Sequence, residues 1–345
     1  MKIKKIAGLA SLMLLAACST QQNQGGSYTV TAELPETKAE MAYLISYDTS
    51  EKIDSTAIIK GVASFTGKIE EPVLVRLIVD GKRAGSFVLE EGEITIADRH
   101  AVGGELNLAM DEFEESLADV DSAFSNLPDS IPLDKKAYKA EQKKVCDKFF
   151  NENLNNPVGY YAFLQQAYDM SLDELNDAVK KYPKLGEYQR ISKLQSGKVA
   201  KAETSEGKPY KDFEVVYNDS TYRLSDYVGN GKYLLVDFWA SWCGPCIRET
   251  KVIKEVLEKY GDKGLEVLGV AVWDEPENTL AGIEQHQLPW PQILNSQYIA
   301  TDLYGIPSIP CLVVIDPDGT IIARDRQGDD LKAFLADIFE PKKVE

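Results

Sequence analysis

Hydrophobic and polar positions change their spacing along the chain, and the first region, residues 28–104, has the spacing of short strands. Apolar or alternating runs are separated there by turn signals such as Lys60-Gly61 and Asp80-Gly81. The predicted strands cover residues 42–46, 55–59, 73–79, 86–89 and 93–97. Regular short strands of this kind predict a small all-β domain, which we expect to be a sandwich.

The second region, residues 105–203, has a helical period. Its first apolar stripe alternates steps of four and three residues, as one face of a helix does: Leu106, Met110, Phe113, Leu117, Val120, Phe124 and Leu127. Further helices are predicted over residues 134–154 and 158–168, and Ser171 with Glu174 forms a capping box for a fourth. A fifth is marked by Leu185, Tyr188, Ile191 and Leu194. Such stripes are typical of packed cores, so this region is interpreted as a helical connector.

The third region, residues 207–345, mixes the two periods. Strands are predicted over residues 213–217 and 222–227, followed by a buried strand over 233–239 and an amphipathic helix over 247–260. The later predictions are a strand over 265–273, a helix over 277–286, a hairpin of 311–315 with 320–324, and a closing helix over 329–339. This order predicts an α/β domain.

Two cysteines, Cys243 and Cys246, lie between the buried strand and the amphipathic helix and enclose Gly244 and Pro245. At a helix start, cysteines three residues apart lie on one side of the first turn, close enough for a disulfide. Unpaired N–H groups and the positive end of the helix dipole favour a thiolate at Cys243. Because the thiolate is the species that attacks disulfides, the pattern predicts a redox-active pair.

Half of a zinc site is the alternative interpretation of this pair. Structural zinc sites need four cysteine or histidine ligands. His100 and His286 are the only histidines of the chain, and neither lies near the pair in sequence. We therefore expect no metal and no cofactor.

The first 18 residues have the pattern of an export signal. Three lysines precede an apolar run over residues 6–17, which is too short to span a bilayer. The run ends in LAAC, which resembles the lipobox of bacterial lipoproteins, and a polar tether follows over residues 19–27. That resemblance implies lipidation of Cys18, whereas a plain signal peptide is the alternative. Either interpretation places the mature chain outside the reducing cytosol.

Charge and the remaining cysteines narrow the classes of function. The net charge of −17 disfavours nucleic-acid binding and electrostatic docking on anionic lipid. Cys146 and Cys311 stand alone in sequence, so the chain is not a disulfide-stapled scaffold.

The WCGPC motif of residues 242–246 after an apolar strand resembles thioredoxin. The wider pattern over residues 207–339 is similar to the membrane-tethered TlpA/ResA-type thiol-disulfide oxidoreductases of the bacterial envelope. Residues 28–104 resemble an extra N-terminal domain found ahead of thioredoxin domains in lipoproteins of the Bacteroidetes type. The resemblance implies a C-terminal thioredoxin-like α/β domain, preceded by the small all-β domain and the helical connector.

The resemblance also implies roles for four residues near the motif. Cys243 corresponds to the nucleophile and Cys246 to the resolving thiol. Asp237, in an otherwise apolar strand, matches the buried aspartate of thioredoxin that relays a proton, and burial should raise its pKa. Glu249 matches the active-site glutamate of the TlpA/ResA group. The alternatives are a solvent-reaching aspartate and an exposed helix glutamate that pairs with a neighbour.

Residues 304–310 resemble the loop that ends in the cis-proline of thioredoxins, and Pro310 is the match. A cis bond there exposes the backbone of Ile309 for pairing with a substrate strand. Trp242 is assigned to the same substrate-binding surface. Cys311 stands where the family usually has threonine, and two interpretations stay open: a third redox-active thiol or a small buried strand residue.

We therefore expect an envelope thiol-disulfide oxidoreductase on the periplasmic side, anchored by lipid on Cys18. It would exchange disulfides of exported proteins and receive electrons from a membrane donor. The CGPC spacer resembles that of reducing thioredoxins and favours a reductase. The alternatives are a disulfide oxidase or isomerase, and a non-enzymatic binding lipoprotein. A peroxiredoxin is disfavoured because residues 239–242 replace the Pro/Thr frame before its peroxidatic cysteine.

Overall fold

The computed structural model describes residues 26–125 and 134–340, which form two compact units divided between Phe163 and Leu164. The export signal and Cys18 lie outside the described residues. Within those residues, the helices are all too short or too polar to cross a membrane. The division falls inside the region that the sequence marks as a helical connector, so its helices are shared between the two units.

The first unit is built on eight strands that form a single sheet in the order β6-β5-β2-β3-β4-β1-β7-β8. They are β1 (Gly26–Glu33), β2 (Met41–Ser46), β3 (Lys52–Ile59), β4 (Val62–Ile69), β5 (Val73–Val79), β6 (Lys82–Leu89), β7 (Gly92–Ala97) and β8 (His100–Val102). Alternation along the strands places Leu44, Phe65 and Leu77 in one buried core. The all-β prediction is confirmed, and the sandwich stays a prediction, since the order of paired strands does not decide how the two ends of the sheet pack. Alternation shows which side chains are inside, and it does not show which strands pair.

The helices of the first unit are α1 (Glu105–Ser125), α2 (Lys135–Glu152) and most of α3 (Pro157–Ala167). The Glu90 carboxylate accepts the N–H groups of Leu106 and Asn107 at 3.1 and 3.0 Å, so it satisfies the open start of α1. Phe113 of α1 packs on Phe149 of α2, with the ring centroids 5.2 Å apart. The apolar stripe of α1 thus packs on α2 at Phe113, whereas Leu127, the last predicted member of the stripe, lies outside the described residues.

The second unit begins with the end of α3 and continues with α4 (Leu172–Lys181) and α5 (Gln189–Glu203). Ser171 and Glu174 form the predicted capping box at the start of α4. The predicted fifth helix is in fact two elements, a 3₁₀ turn over Pro183–Glu187 and then α5. Tyr188, between them, has an extended backbone, so the helix is interrupted there although the apolar spacing continues.

The remainder of the second unit is an α/β fold on a five-stranded sheet in the order β13-β12-β11-β14-β15, with β9 and β10 forming a separate hairpin. Its strands are β9 (Glu214–Tyr217), β10 (Ser220–Arg223), β11 (Tyr233–Trp239), β12 (Leu265–Ala271), β13 (Gln292–Ile293), β14 (Cys311–Ile315) and β15 (Ile321–Arg324). Its helices are α6 (Gly244–Tyr260), α7 (Pro276–His286), α8 (Ile299–Tyr304) and α9 (Gly328–Phe339). The predicted order of elements is confirmed, with α8 and β13 added, but the strand predicted over residues 222–227 is wrong in its second half, since Leu224–Asp226 is a 3₁₀ turn.

The central strand β11 is buried on both faces, which explains its continuous apolar sequence. It runs parallel to β12 and antiparallel to β14. Leu235 and Trp239 lie in the core shared with Ile253 of α6, whereas Phe238 lies in the core on the other face. Because side chains alternate along a strand, Asp237 points to the same face as Leu235 and Trp239. This register directs a carboxylate toward α6.

Candidate active site

Cys243 and Cys246 lie at the junction of β11 and α6, where they are joined by a disulfide with a Cα–Cα distance of 5.2 Å. Cys243 is the N-cap residue of α6, and its Sγ accepts the backbone N–H of Cys246 at 3.2 Å. Cys243 keeps 5% of its surface exposed, whereas Cys246 is fully buried. Pro245 fits the first turn because the N–H that it lacks would have no partner there. The helix start therefore favours a thiolate on the more accessible cysteine after reduction.

Asp237 is fully buried in the middle of β11, and no group in the described part of the chain donates a hydrogen bond to either of its carboxylate oxygens. Burial raises its pKa to about 8, and the negative charge of Glu249 contributes to the shift. The solvent-reaching alternative for this residue is therefore wrong. This raised pKa favours the protonated form of Asp237 at neutral pH.

Glu249 lies on the buried side of α6, one turn beyond Cys246. Its Oε1 accepts the backbone N–H of Gly328, at the start of α9, at 2.8 Å. The alternative of an exposed helix glutamate is wrong because α9 covers the carboxylate. Two carboxylates of unlike environment, one with a hydrogen-bond donor and one without, thus lie on the α6 side of the sheet.

Pro310 comes directly before β14 and follows a cis peptide bond with Ile309. Ile309 is half-buried and packs against both cores of the α/β fold. The carbonyl of Pro310 accepts a hydrogen bond from the Gln327 side chain at 3.1 Å. Gln327 and Gly328 are absent from the residues predicted from the sequence, because nothing in their local pattern shows that a loop 17 residues after Pro310 returns to it.

Two parts of the chain match known families. Residues 207–324 match the AhpC/TSA family, and residues 28–101 match a domain of unknown function, DUF4369. The thiol-disulfide oxidoreductase ResA of Geobacillus thermodenitrificans is 32% identical over 120 residues, which are 34% of this chain and 68% of that protein. The chain belongs to the ResA-type thiol-disulfide oxidoreductases.

Other comparisons cover a similar share of this ResA-type chain. ResA of Bacillus cereus is 30% identical over 145 residues, which are 41% of this chain and 82% of that protein. Among solved structures, the thioredoxin domain of a thiol-disulfide oxidoreductase from Bacteroides vulgatus aligns with 39% of this chain and 99% of its own. It has a TM-score of 0.36 and 27% sequence identity. The domain over residues 28–101 is thus an addition to the part shared with ResA.

Trp242, which directly precedes Cys243 in this ResA-type chain, is 61% exposed. Its indole N–H donates to the carbonyl of Trp273 at 3.0 Å, which fixes the ring although it faces solvent. The buried carboxylate of Asp274 accepts the N–H of Ser241 at 2.8 Å. Asp274 is absent from the residues predicted from the sequence, although its position directly after the apolar run over residues 267–273 is a signal of a buried acid.

Cys311 and Cys146 of this ResA-type chain are both buried free thiols. Burial raises the pKa of Cys146 to about 11, and burial likewise raises the pKa of Cys311, with the charge of Asp325 contributing. The Cys311 thiol donates to Asp325 at 3.2 Å, and Asp325 also pairs with Lys201 of α5 at 2.8 Å. A buried, protonated thiol that serves as a hydrogen-bond donor favours the structural interpretation of Cys311.

Proposed function

We propose that this chain is an envelope-tethered reductase that exchanges the disulfides of exported proteins through Cys243 and Cys246. The observation that carries the proposal is the disulfide-bonded cysteine pair at the start of α6, in which Cys243 keeps 5% of its surface exposed and Cys246 is fully buried. The domains assigned to it are an all-β domain over residues 28–104, a helical region over 105–203 and a thioredoxin-like domain over 207–345. The last of these holds the whole site.

The proposed reaction has two exchanges of sulfur partners. The Cys243 thiolate attacks one sulfur of a substrate disulfide, which forms a mixed disulfide and releases the other substrate sulfur as a thiolate. Cys246 then attacks the Sγ of Cys243, so the Cys243–Cys246 bond forms and the second substrate sulfur leaves. The substrate gains two electrons and takes up two protons, and the protein is left as the disulfide.

Asp237 is assigned the role of the base that accepts the proton of the resolving thiol, Cys246. Cys246 must lose its proton before it attacks, and both residues face the core between the sheet and α6. The burial that raises the pKa of Asp237 to about 8 makes it a base matched to neutral pH. After the exchange Asp237 would carry the proton, which agrees with its raised pKa in the disulfide form. Glu249 raises the proton affinity of Asp237 through its charge.

Substrate binding is assigned to Trp242, Ile309 and Pro310. Backbone groups of Ile309 would pair with an extended segment of the substrate beside its disulfide. The exposed indole of Trp242 offers an apolar face next to Cys243. Protein disulfides fit this arrangement better than small-molecule disulfides, because a small disulfide does not need a strand-pairing edge.

The direction of exchange gives the first test. A reductase with this spacer should have a midpoint potential of about −270 mV, the value of thioredoxin. The measurement is equilibration of the purified protein in dithiothreitol redox buffers, followed by alkylation of free thiols and mass spectrometry. A Cys146→Ser variant is the control: it should lose one alkylated thiol and keep the same potential, because Cys146 lies outside the redox pair. A potential above about −180 mV would assign the protein to oxidases or isomerases instead.

Anchoring through Cys18 gives the second test. Lipid on Cys18 would hold the protein at the periplasmic face of a membrane, where a membrane electron donor could return it to the dithiol form. Replacing Cys18 with alanine should abolish incorporation of a radiolabelled fatty acid and leave a precursor of higher mass. Cys146→Ala, which removes a buried cysteine, should label as the wild type does. Full labelling of Cys18→Ala would show that the lipobox assignment is wrong.

A further inference from the structure

Residues 325–328, which link β15 to α9 and include Gly328, the first residue of α9, contact both sides of the candidate active site. We call these four residues the 325–328 connection. Gln327 donates through its side chain to the carbonyl of Pro310 at 3.1 Å. Its neighbour Gly328 donates through its backbone N–H to Glu249 of α6 at 2.8 Å. Two consecutive residues thus join the proline loop to the helix that carries Cys246.

The other end of the connection is tied to β14. The carboxylate of Asp325 accepts the Cys311 thiol at 3.2 Å, and the backbone N–H of Asp325 donates to Leu312 at 2.9 Å. Lys201 holds the second carboxylate oxygen at 2.8 Å. Cys311 directly follows Pro310, so the connection contacts two consecutive residues of the proline loop and its strand.

The backbone of the connection has an uncommon conformation at both ends. Asp325 has φ +60° and Gly328 has φ +56°, both in the left-handed region. Aspartate and glycine are among the residues that adopt this region most readily. Gln327, between them, is the N-cap residue of α9, yet its side chain makes no capping bond within the helix. Its side-chain amide donates instead to the carbonyl of Pro310.

We propose that the 325–328 connection braces the proline loop against α6, with Gln327 and Cys311 as positioning residues that set how tightly a protein substrate binds. The proposal rests on the proposed function, because it concerns the edge at which a substrate strand would pair. It also gives Cys311 a role: the thiol is a hydrogen-bond donor to Asp325, and it takes no part in electron transfer.

The test compares variants in steady-state reduction of insulin, with dithiothreitol as the electron source. Gln327→Ala and Gln327→Glu both remove the amide donor, so the KM for insulin should rise about threefold to tenfold while kcat is unchanged, as expected for one lost hydrogen bond. The rate at which the reduced pair reacts with dithionitrobenzoate, which needs no strand pairing, should stay the same. Gln327 is exposed, so folding of these variants is not at risk. Asp329→Ala, an exposed change on the same turn, is the matched control.

Cys311 supplies a second pair of variants. Cys311→Ser keeps a donor for Asp325 and should retain the wild-type KM, whereas Cys311→Ala should raise it as Gln327→Ala does. Equal loss in both Cys311 variants would point to redox chemistry of the thiol and overturn the proposal. An unchanged KM in Gln327→Ala would overturn it too. If the wild type itself fails to reduce insulin, the proposed function is wrong. The bracing contact can then still be tested by hydrogen exchange, because the Gly328 amide should exchange faster in Gln327→Ala than in the wild type.

Discussion

Replacing Cys243 with serine should lower the rate of insulin reduction to the uncatalysed background, a loss of roughly 10³-fold or more, on the scale of removing the nucleophile from a covalent mechanism. The serine hydroxyl is not ionised at neutral pH and cannot form the mixed disulfide. Replacing Cys246 with alanine should stop the reaction one step later, because attack by Cys243 remains possible and resolution does not. The two variants therefore separate the two roles.

Mass spectrometry of the Cys246→Ala protein mixed with oxidised substrate should detect a covalent adduct at Cys243. Brief iodoacetamide treatment of the reduced wild type should modify Cys243 first, since Cys246 is fully buried. Cys146→Ser is the matched control, because it removes a buried thiol outside the pair and should keep full activity. Adducts at Cys246, or an active Cys243→Ser protein, would contradict the assignment of nucleophile and resolving thiol.

Much of the α/β fold could be predicted from residues whose environment is encoded locally. The apolar run of β11 indicates a strand buried on both faces, and its single carboxylate, Asp237, stands out for that reason. Ser171 and Glu174 predict the start of α4 because both partners of the capping box lie within one turn. Both features depend only on residues that are close together in sequence, so they can be predicted without knowledge of the tertiary fold.

Features that depend on distant partners could not be predicted in this way. The six residues of α8 and the two of β13 are too short to show a period. β12 ends at Ala271, earlier than its apolar run suggests, and Trp273 then adopts a left-handed φ of +55° that its residue type disfavours. Gly328 and Gln327 join the site through tertiary contacts alone. The cysteines and carboxylates of the site are therefore predicted from the sequence, whereas the loop residues that reach the site through tertiary contacts are not.

Replacing Asp237 with asparagine should lower the rate of disulfide reduction at pH 7 by about 10²-fold, the usual contribution of a positioned general base. Asparagine keeps the size of the side chain but cannot accept the proton of Cys246. The rate of the first attack by Cys243, followed as mixed-disulfide formation in a Cys246→Ala background, should change little. A loss confined to resolution would locate the proton transfer at Cys246, whereas an unchanged overall rate would show that Asp237 is not the base.

The same substitution should change the pH dependence of stability in the disulfide form. The pKa of Asp237 is about 8 in the folded chain and 3.8 in its ordinary state, so between these values the folded protein binds one proton more than the unfolded protein. The stability linked to that proton is complete below about pH 4 and is lost as the pH rises to about 8, at about 1.4 kcal/mol per pH unit. Asp237→Asn has no such proton, so it should lack this part of the slope and be more stable than the wild type near pH 8.

Urea unfolding at several pH values between 5 and 8 measures this difference, and Glu249→Gln is the control that tests its cause. Glutamine still offers an oxygen to the Gly328 N–H but carries no charge, so the pKa of Asp237 should fall and the pH window should end below 8. Equal slopes for the wild type and Asp237→Asn would show that the buried carboxylate is ionised throughout. We therefore expect Asp237→Asn to be more stable but less active than the wild type. Both effects have one cause, because the Asp237 carboxylate is costly to bury and is also the group that accepts the proton of Cys246.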